Sequence, residues 1–339
     1  MPPSAAWASD AKWGMKKILV LGGTGFVGRH VCEKLVSAGC QVTVPTRQRP
    51  NANAIAMLPT LTVLEANIHD AAALQALVQG QDAVVNLVAI LQGHEAAFDK
   101  AHVELPEKIA RACQAAGVRR LVHVSALGAD ARNPAGLPSM YLRSKSRGEQ
   151  VLHHASLDLT ILRPSVIFGA EDKFLNVFAH LQQFLPFMPL AGAQALFQPV
   201  WVEDVASAVV QALQSQYSHA SMGQTYEACG PDTFSLKQLV QLAARYAGVN
   251  GGRGRPVIAL PDAVARVQAR LMELMPGEPV LSRDNLDSMK VPNVATGHFP
   301  GLSALGITPA ALSAIAPGYL GDRGPRSDLT LKRKTAGRF

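Results

Sequence analysis

The stretch Ile18–His30, which reads ILVLGGTGFVGRH, decides the fold of this 339-residue chain. Its apolar start predicts a buried strand, and its second half predicts an amphipathic helix. Between them, Gly22 allows a tight turn, Gly25 lets the backbone approach a pyrophosphate, and Gly28 lets the helix pack closely on the sheet. The positive N-terminal end of the helix would then face the phosphates. Further expected cofactor contacts in this turn are Thr24, Phe26 and Val27.

A strand before the glycines and a helix after them favour a dinucleotide site over the alternative, a glycine-rich turn that binds nothing.

The next predicted strand ends in Val44–Arg49, VPTRQR. An acidic residue about 20 residues beyond the glycines usually holds the ribose hydroxyls of NAD, and arginine replaces it for a 2′-phosphate. Here Arg47 and Arg49 occupy that region, so we predict NADP(H), bound by Arg47. NAD(H), with both arginines solvated, is the alternative.

Two further strand ends supply expected cofactor contacts. Asn67 and Ile68 follow the third predicted strand and would flank the adenine, whereas Val88 and Ala89 follow the fourth and would line the central channel. The alternative is that both pairs are ordinary strand-end residues.

Composition narrows the class of protein. With 48% hydrophobic and 17% charged residues the chain is expected to be globular. Part of the net charge of +7 lies in Arg323–Arg338, with no aromatic-rich basic face, so we expect an anionic membrane surface or an acidic partner and no nucleic acid. The four cysteines show no C-x-x-C spacing, and the ten histidines show no metal-ligand pattern. These features predict a cytoplasmic protein that lies peripherally on the inner membrane surface.

Strand-like runs alternate with helical patterns, which predicts an α/β fold with a doubly wound parallel sheet of Rossmann type and a small C-terminal substrate or partner subdomain. The predicted strands are Ile18–Leu21, Gln41–Val44, Thr62–Glu65, Ala83–Leu87, Leu121–Ser125, Thr160–Leu162 and Tyr226–Ala228. The expected division is a flexible extension (1–14), the dinucleotide-binding domain (15–173, with later contributions from 199–230), the subdomain (174–198 and 231–310) and a basic tail (311–339).

Tyr141–Lys145, YLRSK, places a phenol and an ammonium on one face of a predicted helix. A free tyrosine has a pKa near 10, and a nearby cation stabilises its phenolate, so Tyr141 could exchange a proton with a substrate alcohol or ketone. Lys145 would also lie near the nicotinamide ribose. The alternative is that Tyr141 is an aromatic residue at a helix end.

Several motifs together resemble those of the extended and atypical short-chain dehydrogenase/reductases. In chain order they are GGTGFVGRH, VVNLVA, HVSALGAD, YLRSKSRGEQ, LRPSVIFGAEDKFLN and PVWVEDVASAV. Within that group, YLRSKSRGE, IFGAEDKFLN and LSRDNLDSM resemble the nucleotide-binding accessory subunit family of respiratory complex I and its bacterial relatives. The resemblance implies a Rossmann domain with bound NADPH, including Pro164 among its contacts, and a structural or assembly role for the mitochondrial member.

One position departs from the active relatives that the resemblance implies. Those carry a Ser or Thr one or two places beyond the first serine after the fifth strand, whereas this chain has Ser125-Ala126-Leu127. Ser125 remains a candidate catalytic residue, and the alternative is that it caps the strand or touches the cofactor.

Three functions agree with these features. One is an NADP(H)-dependent oxidoreductase for a hydrophobic alcohol, ketone or quinone-type small molecule, and another is a non-catalytic NADPH-binding accessory or assembly protein of a respiratory complex. The third is a nucleotide-sugar epimerase or dehydratase. The first draws on an expected apolar lid over the site, whose members are Phe174, Phe178, Phe184, Phe187 and Met188. The alternative is that these residues belong to the core.

Overall fold

The structure is a computed structural model that describes residues 16–214, 220–274, 277 and 279–321. Its strands are β1 (Lys17–Leu21), β2 (Gln41–Thr46), β3 (Leu61–Glu65), β4 (Ala83–Asn86), β5 (Arg120–Val124), β6 (Asp158–Pro164), β7 (Ile167–Phe168), β8 (Met188–Leu190), β9 (Leu196–Phe197), β10 (Val200–Trp201), β11 (Gln224–Ala228), β12 (Phe234–Ser235) and β13 (Val257–Ala259). Its helices are α1 (Phe26–Ser37), α2 (Ala71–Val78), α3 (Glu95–Asp99), α4 (Leu105–Ala116), α5 (Met140–His153), α6 (Leu175–Phe184), α7 (Val202–Leu213), α8 (Leu236–Tyr246), α9 (Asp262–Glu273), α10 (Arg283–Ser288) and α11 (Leu312–Leu320).

Seven of these strands form one parallel sheet in the order β3–β2–β1–β4–β5–β6–β11. The chain leaves β1 for β2 on one side and later returns to β4 on the other, so the strand order reverses beside β1. Such a switch point opens a crevice at the carboxyl ends of the strands, where doubly wound folds bind ligands. The expected Rossmann-type α/β fold is confirmed.

Two apolar layers cover the sheet, because its parallel strands carry apolar residues on both faces. On one face, α1 contributes Val31 and Leu35, and α7 contributes Val205 and Val209. On the other face, helices α2, α4 and α5 supply the buried residues Leu74, Leu105, Ile109 and Leu152. The sheet is thereby fixed between helices on both faces, and the switch point lies at its carboxyl edge.

The later residues pack as smaller apolar clusters beside this sheet. Helices α6, α8 and α11 meet around Leu239 and Ala243, and a second cluster surrounds Met188 and Val240. Three two-stranded ladders connect the segments, β7 with β10, β8 with β13 and β9 with β12. The division of the chain into two domains stays a prediction.

Two expectations about these segments need correction. Residues 312–320, assigned to the basic tail, form α11, since Leu312, Ala316 and Leu320 repeat at helical spacing and are buried. Of the expected lid, Phe184 and Phe187 are 72% and 47% exposed, whereas Met188 is buried, so the five residues do not share one surface. The extension 1–14 and residues 322–339 lie outside the described residues.

Candidate functional site

In the glycine turn after β1, backbone and neighbouring atoms lie so close to the glycine Cα atoms that side chains would not fit. Gly22 has a φ of +83°, and a Cβ at Gly25 would lie 3.3 Å from the carbonyl oxygen of Gly22. At Gly28 the same oxygen would be only 2.2 Å away. Sequence reasoning missed Gly23, where a Cβ would lie 2.8 Å from Val44 Cγ2. The turn therefore brings bare backbone to the carboxyl edge of the sheet.

Helix α1 begins directly in this turn. Gly25 is its N-cap, and the amide of Arg29 makes the first helical hydrogen bond, to the Gly25 carbonyl at 3.0 Å. The amides of Phe26, Val27 and Gly28 precede that bond, so they have no helical acceptor. The first turn contains no acidic residue. These three amides and the helix dipole fit an anionic group such as a pyrophosphate.

A chain of polar side chains fixes the backbone that follows β4. The Asn86 amide oxygen accepts a hydrogen bond from the Val88 amide at 3.2 Å, so its nitrogen donates to His123 Nδ1 at 3.0 Å. Two residues further, the Ile90 amide donates to His102 Nε2 at 3.1 Å. These bonds fix the backbone on both sides of Ala89. The segment with Val88 and Ala89 is thus positioned beside the glycine turn, as a cofactor channel would require.

A cleft of about 540 Å³ lies at the carboxyl ends of β2 and β3. It is lined by Arg47, Glu65, Ala66, Asn67, His69 and Lys100. The structure thus brings the predicted residues Arg47 and Asn67 together, and Ile68 is half-buried beside them. Lys100 and His69 were missed, because neither stands in a recognisable motif.

Lys145 is almost completely buried, at 2% exposure. Its ammonium donates to the carbonyl oxygen of Val124 at 3.2 Å, at the end of β5. Burial lowers the pKa of Lys145 to about 8, and the nearby Glu149 carboxylate offsets part of that shift. Two of its three donors are therefore available for a ribose or for Tyr141.

Tyr141 lies one helical turn before Lys145 and is half-buried. Its ring packs edge to face against His102 and Phe98, with centroids 5.6 and 6.2 Å away. Burial raises the pKa of its phenol. Within the part of the chain that the structure describes, its hydroxyl makes no hydrogen bond. The helix brings Tyr141 and Lys145 to one region without joining them directly.

His102 connects the β4 loop to this helix, and sequence reasoning missed it. Since His102 Nε2 accepts from the Ile90 amide, the proton of the neutral ring lies on Nδ1, which donates to Ser144 Oγ at 2.9 Å. Ser144 Oγ in turn donates to the Tyr141 carbonyl at 2.9 Å. Burial, followed by the charge of Lys145, lowers the pKa of His102 to about 2. The ring is therefore a neutral positioning group.

The position expected to polarise a substrate is apolar. Ala126 and Leu127 are 6% and 2% exposed, and the Leu127 amide is bonded to the Pro164 carbonyl at 3.0 Å. Ser125 is also buried, and among the described residues its hydroxyl has no hydrogen-bond partner. An orphaned hydroxyl at the edge of β5 fits contact with a bound cofactor better than the capping of its strand.

A segment that we call the strap, residues 279–301, crosses the carboxyl edge of the sheet. Its Pro279 carbonyl accepts from Gln92 after β4, and its Asp284 carboxylate accepts from the Met140 and Tyr141 amides at 2.6 and 3.1 Å. Further along, the Asn293 side chain accepts from Ser165 Oγ at 2.6 Å and from the Val166 amide at 2.9 Å. The strap therefore lies across this edge of the sheet and caps the helix that carries Tyr141.

These residues fit a dinucleotide. The bare turn, the three free amides and the orphaned Ser125 hydroxyl lie along one edge with the cationic cleft at β2. A nicotinamide cofactor there would supply hydride chemistry. This chain would bind its pyrophosphate through α1 and its ribose through Lys145.

Comparisons with known proteins agree with this geometry. The model of the NAD(P)H-binding family matches residues 22–216. The chain is 33% identical over 302 residues to NADH dehydrogenase (ubiquinone) 1 alpha subcomplex subunit 9 of Mus musculus, covering 86% of this chain and 76% of that protein. It is 27% identical over 305 residues to the NADH-ubiquinone oxidoreductase 40 kDa subunit of Neurospora crassa, covering 89% and 78%.

A solved structure shows the same fold. The NADPH complex of an NADPH-dependent quinone oxidoreductase from Escherichia coli superposes with a TM-score of 0.70 at 20% identity, covering 89% of this chain and 99% of that one. Among the described residues of our chain, no helix is both long and apolar enough to cross a membrane.

Proposed function

This chain belongs to the NAD(P)H-binding family, and from that premise we propose that it is an NADP(H)-holding accessory protein of a membrane-bound respiratory enzyme. The observation that carries the proposal is the contrast between the two halves of the site. On the cofactor side, the glycine turn and the Lys145 ammonium supply groups that a dinucleotide would need. The substrate half has buried Ala126 and Leu127 where a hydroxyl would polarise the substrate oxygen.

A permanently bound nucleotide can act as part of the fold. A ligand that binds only the folded state at 100 times its Kd stabilises that state by about 2.7 kcal/mol. In this chain the nucleotide would contact α1, the β4 loop and α5, and so would join three separate segments at the carboxyl edge of the sheet. Its loss would therefore loosen the same edge that the strap covers.

An accessory protein also needs a docking surface, and α9 offers one. Val264, Val267, Leu271 and Leu274, which we call the α9 stripe, recur at helical spacing and are 50%, 61%, 61% and 77% exposed. Contiguous exposed apolar faces of this kind mark interaction sites. We assign the α9 stripe to an apolar surface of a partner subunit, since the relatives are named as subunits of NADH dehydrogenase. Docking would place the protein at the cytoplasmic face of the membrane.

The purified protein tests the cofactor part of this proposal. We expect heat-released nucleotide to be NADP(H) by mass spectrometry, near one equivalent per chain. We also expect the bound NADPH to keep its absorbance when decyl-ubiquinone or a medium-chain ketone is added. A protein that contains no nucleotide and gains no melting temperature from NADPH would refute the proposal, and rapid oxidation of the bound NADPH would refute the accessory role.

A second candidate function is reduction of a hydrophobic ketone or quinone-type substrate. Tyr141 and Lys145 motivate it, because they lie one helical turn apart on α5 and a cation that reached the phenol would offset the burial that raises its pKa. Under this hypothesis Tyr141→Phe abolishes turnover while the Kd for NADPH changes less than about twofold, since the phenol acts on the substrate. Equal turnover by Tyr141→Phe would exclude Tyr141 as the proton donor.

A further inference from the structure

We propose that Lys100 and His69 complete, with Arg47, the binding site for the ribose 2′-phosphate of NADP(H). The inference rests on the proposed NADP(H) binding and names the residues that would select it over NAD(H). All three side chains line the same cleft of about 540 Å³. That volume lies within the range of small-molecule sites, roughly 300–1,000 Å³.

Three separate parts of the chain bring these residues together. Arg47 follows β2 directly, His69 lies in the turn between Asn67 and α2, and Lys100 begins a π-helical turn between α3 and α4. Strand β2 is the neighbour of β1 on the side where the ribose of the adenosine half binds in this fold. The cleft is therefore placed where a 2′-phosphate would project.

The charges around the cleft suit a dianion. The pKa of His69 is lowered, first by burial and then by the positive charges of Lys100, Lys108 and Arg47. Lys108 is already engaged, because its ammonium donates to the His69 carbonyl at 2.9 Å. Lys100 and Arg47 line the cleft wall, so two cationic side chains would face a phosphate monoester, which carries about −1.5 to −2 charge at pH 7.

The Glu104 carboxylate adds a negative charge near His69, and Glu65 favours the opposite cofactor. Its carboxylate also lines the cleft, and a carboxylate in this region is what holds the ribose hydroxyls of NAD. Two cationic side chains face it, however, and a planar guanidinium beside a lysine is a common phosphate-binding pair. His69 adds a further polar group, since its Nδ1 is buried and has no hydrogen-bond partner among the described residues.

Calorimetric binding at low ionic strength tests the assignment, with NADPH, NADH, 2′,5′-ADP and 5′-AMP as ligands. For Lys100→Gln we expect the Kd of NADPH and of 2′,5′-ADP to rise about tenfold, on the order of one lost charge-assisted hydrogen bond. The Kd of NADH and of 5′-AMP should change less than about twofold, because neither carries the 2′-phosphate. His69→Gln should raise the Kd of NADPH about threefold, because a neutral hydrogen bond is weaker than a charge-assisted one.

Lys237→Gln is the matched control, since Lys237 is an exposed lysine on α8 far along the chain from the cleft. It should leave all four dissociation constants unchanged. If wild type prefers NADPH and Lys100→Gln keeps the same NADPH-to-NADH ratio, the assignment of Lys100 is wrong while NADP(H) binding stands. If wild type prefers NADH, Glu65 governs the cleft and the assignment fails. If neither dinucleotide binds, the proposed function itself fails.

Discussion

At the scale of single residues, the glycine turn leaves no room for a side chain larger than a hydrogen atom. Gly28→Ala would place a Cβ 2.2 Å from the Gly22 carbonyl and 2.6 Å from Gly23 Cα, both backbone atoms. The backbone must shift to relieve this contact, so we expect a loss of about 1–3 kcal/mol in the free energy of unfolding. We also expect at least a tenfold weaker NADPH affinity, about 1.4 kcal/mol, because the three free amides move with the turn.

Urea unfolding and calorimetric titration measure both effects, and Gly318→Ala provides the control. Gly318 lies exposed in α11, and a Cβ there meets no atom within 4 Å. Alanine in a helix is more favourable than glycine by up to about 1 kcal/mol, so this variant should be equally or more stable. A Gly28→Ala protein that matches Gly318→Ala in both properties would show that the turn tolerates a side chain.

Lys145 makes stability depend on pH. Its pKa is lowered from 10.5 to about 8 in the folded protein, so between those values the unfolded chain binds more protons than the folded one. Stability from this group therefore rises as pH increases from about 8 to about 10.5, and the cost of the buried charge is complete below pH 8. Without nucleotide, Lys145→Met should be more stable relative to wild type at pH 7 than at pH 10, by roughly 2 kcal/mol.

Urea unfolding of wild type and Lys145→Met at pH 7, 8, 9 and 10 gives this difference directly. The comparison cancels other groups that titrate in both proteins. A difference that stays constant over the range would mean that Lys145 keeps its ordinary pKa in the folded state.

The candidate residues that sequence could predict all stand in local motifs. Tyr141 and Lys145 are four positions apart, and the three glycines share one turn. His102, Lys100 and His69 could not be found this way, since each acts through contacts with other segments, such as His102 with Ile90 and Ser144. Their isolated positions carry no periodic or spacing signal that separates them from surface residues.

At the scale of secondary-structure elements, α5 depends on a cap from outside its own sequence. Ser139 caps one amide, whereas Asp284 of α10 accepts from the Met140 and Tyr141 amides. Asp284→Ala removes both acceptors, so we expect a loss of about 1–2 kcal/mol in the free energy of unfolding. The Kd for NADPH should rise as well, because Lys145 lies on the same helix.

Asp287→Ala on the same helix is the control, measured by the same urea unfolding. Among the described residues, Asp287 pairs with Arg266 and Lys290 at the partly exposed surface, and such pairs contribute about 0–1 kcal/mol. Equal losses from the two substitutions would mean that Asp284 stabilises α10 alone and does not position α5.

Secondary structure could be predicted from the sequence where apolar residues form a continuous local run. The predicted strand Ile18–Leu21 matches β1 to within one residue, since buried parallel strands are nearly continuous apolar runs. The start of α4 is harder to predict, because a π-helical turn at Lys100–Glu104 precedes it and Pro106 falls in its first turn. Proline has no amide proton to donate and so favours a helix start, which the apolar spacing alone does not show.

At the scale of the whole molecule, the strap connects strands that are distant in sequence. It contacts the segments after β4, β5 and β6, and it reaches β11, where the Glu227 carboxylate accepts from the Thr296 amide at 2.8 Å. None of these contacts follows from periodicity, because each joins residues at least 69 positions apart. The sheet could thus be predicted from the sequence, whereas the cover over its carboxyl edge could not.

The proposed docking through the α9 stripe predicts how the whole molecule should associate. Leu271 is 61% exposed, so Leu271→Lys should change the free energy of unfolding by less than about 0.5 kcal/mol. A buried lysine at an apolar interface is costly, so the same variant should lose association with respiratory NADH dehydrogenase. Native electrophoresis of solubilised membranes, with an in-gel NADH dehydrogenase stain and antibody detection of this chain, measures that association.

Met57→Lys supplies the matched control, as it adds one lysine at an apolar side chain that is 88% exposed and lies outside the α9 stripe. It should co-migrate with the enzyme as wild type does, and both variants should bind NADPH normally. Flotation with anionic liposomes tests whether lipid, and not a partner subunit, covers the α9 stripe. Salt-sensitive binding that Leu271→Lys preserves or strengthens would exclude insertion of the α9 stripe into lipid. Co-migration of Leu271→Lys with the enzyme would exclude the α9 stripe as the docking surface, because a charge at its centre cannot remain unpaired in an apolar contact.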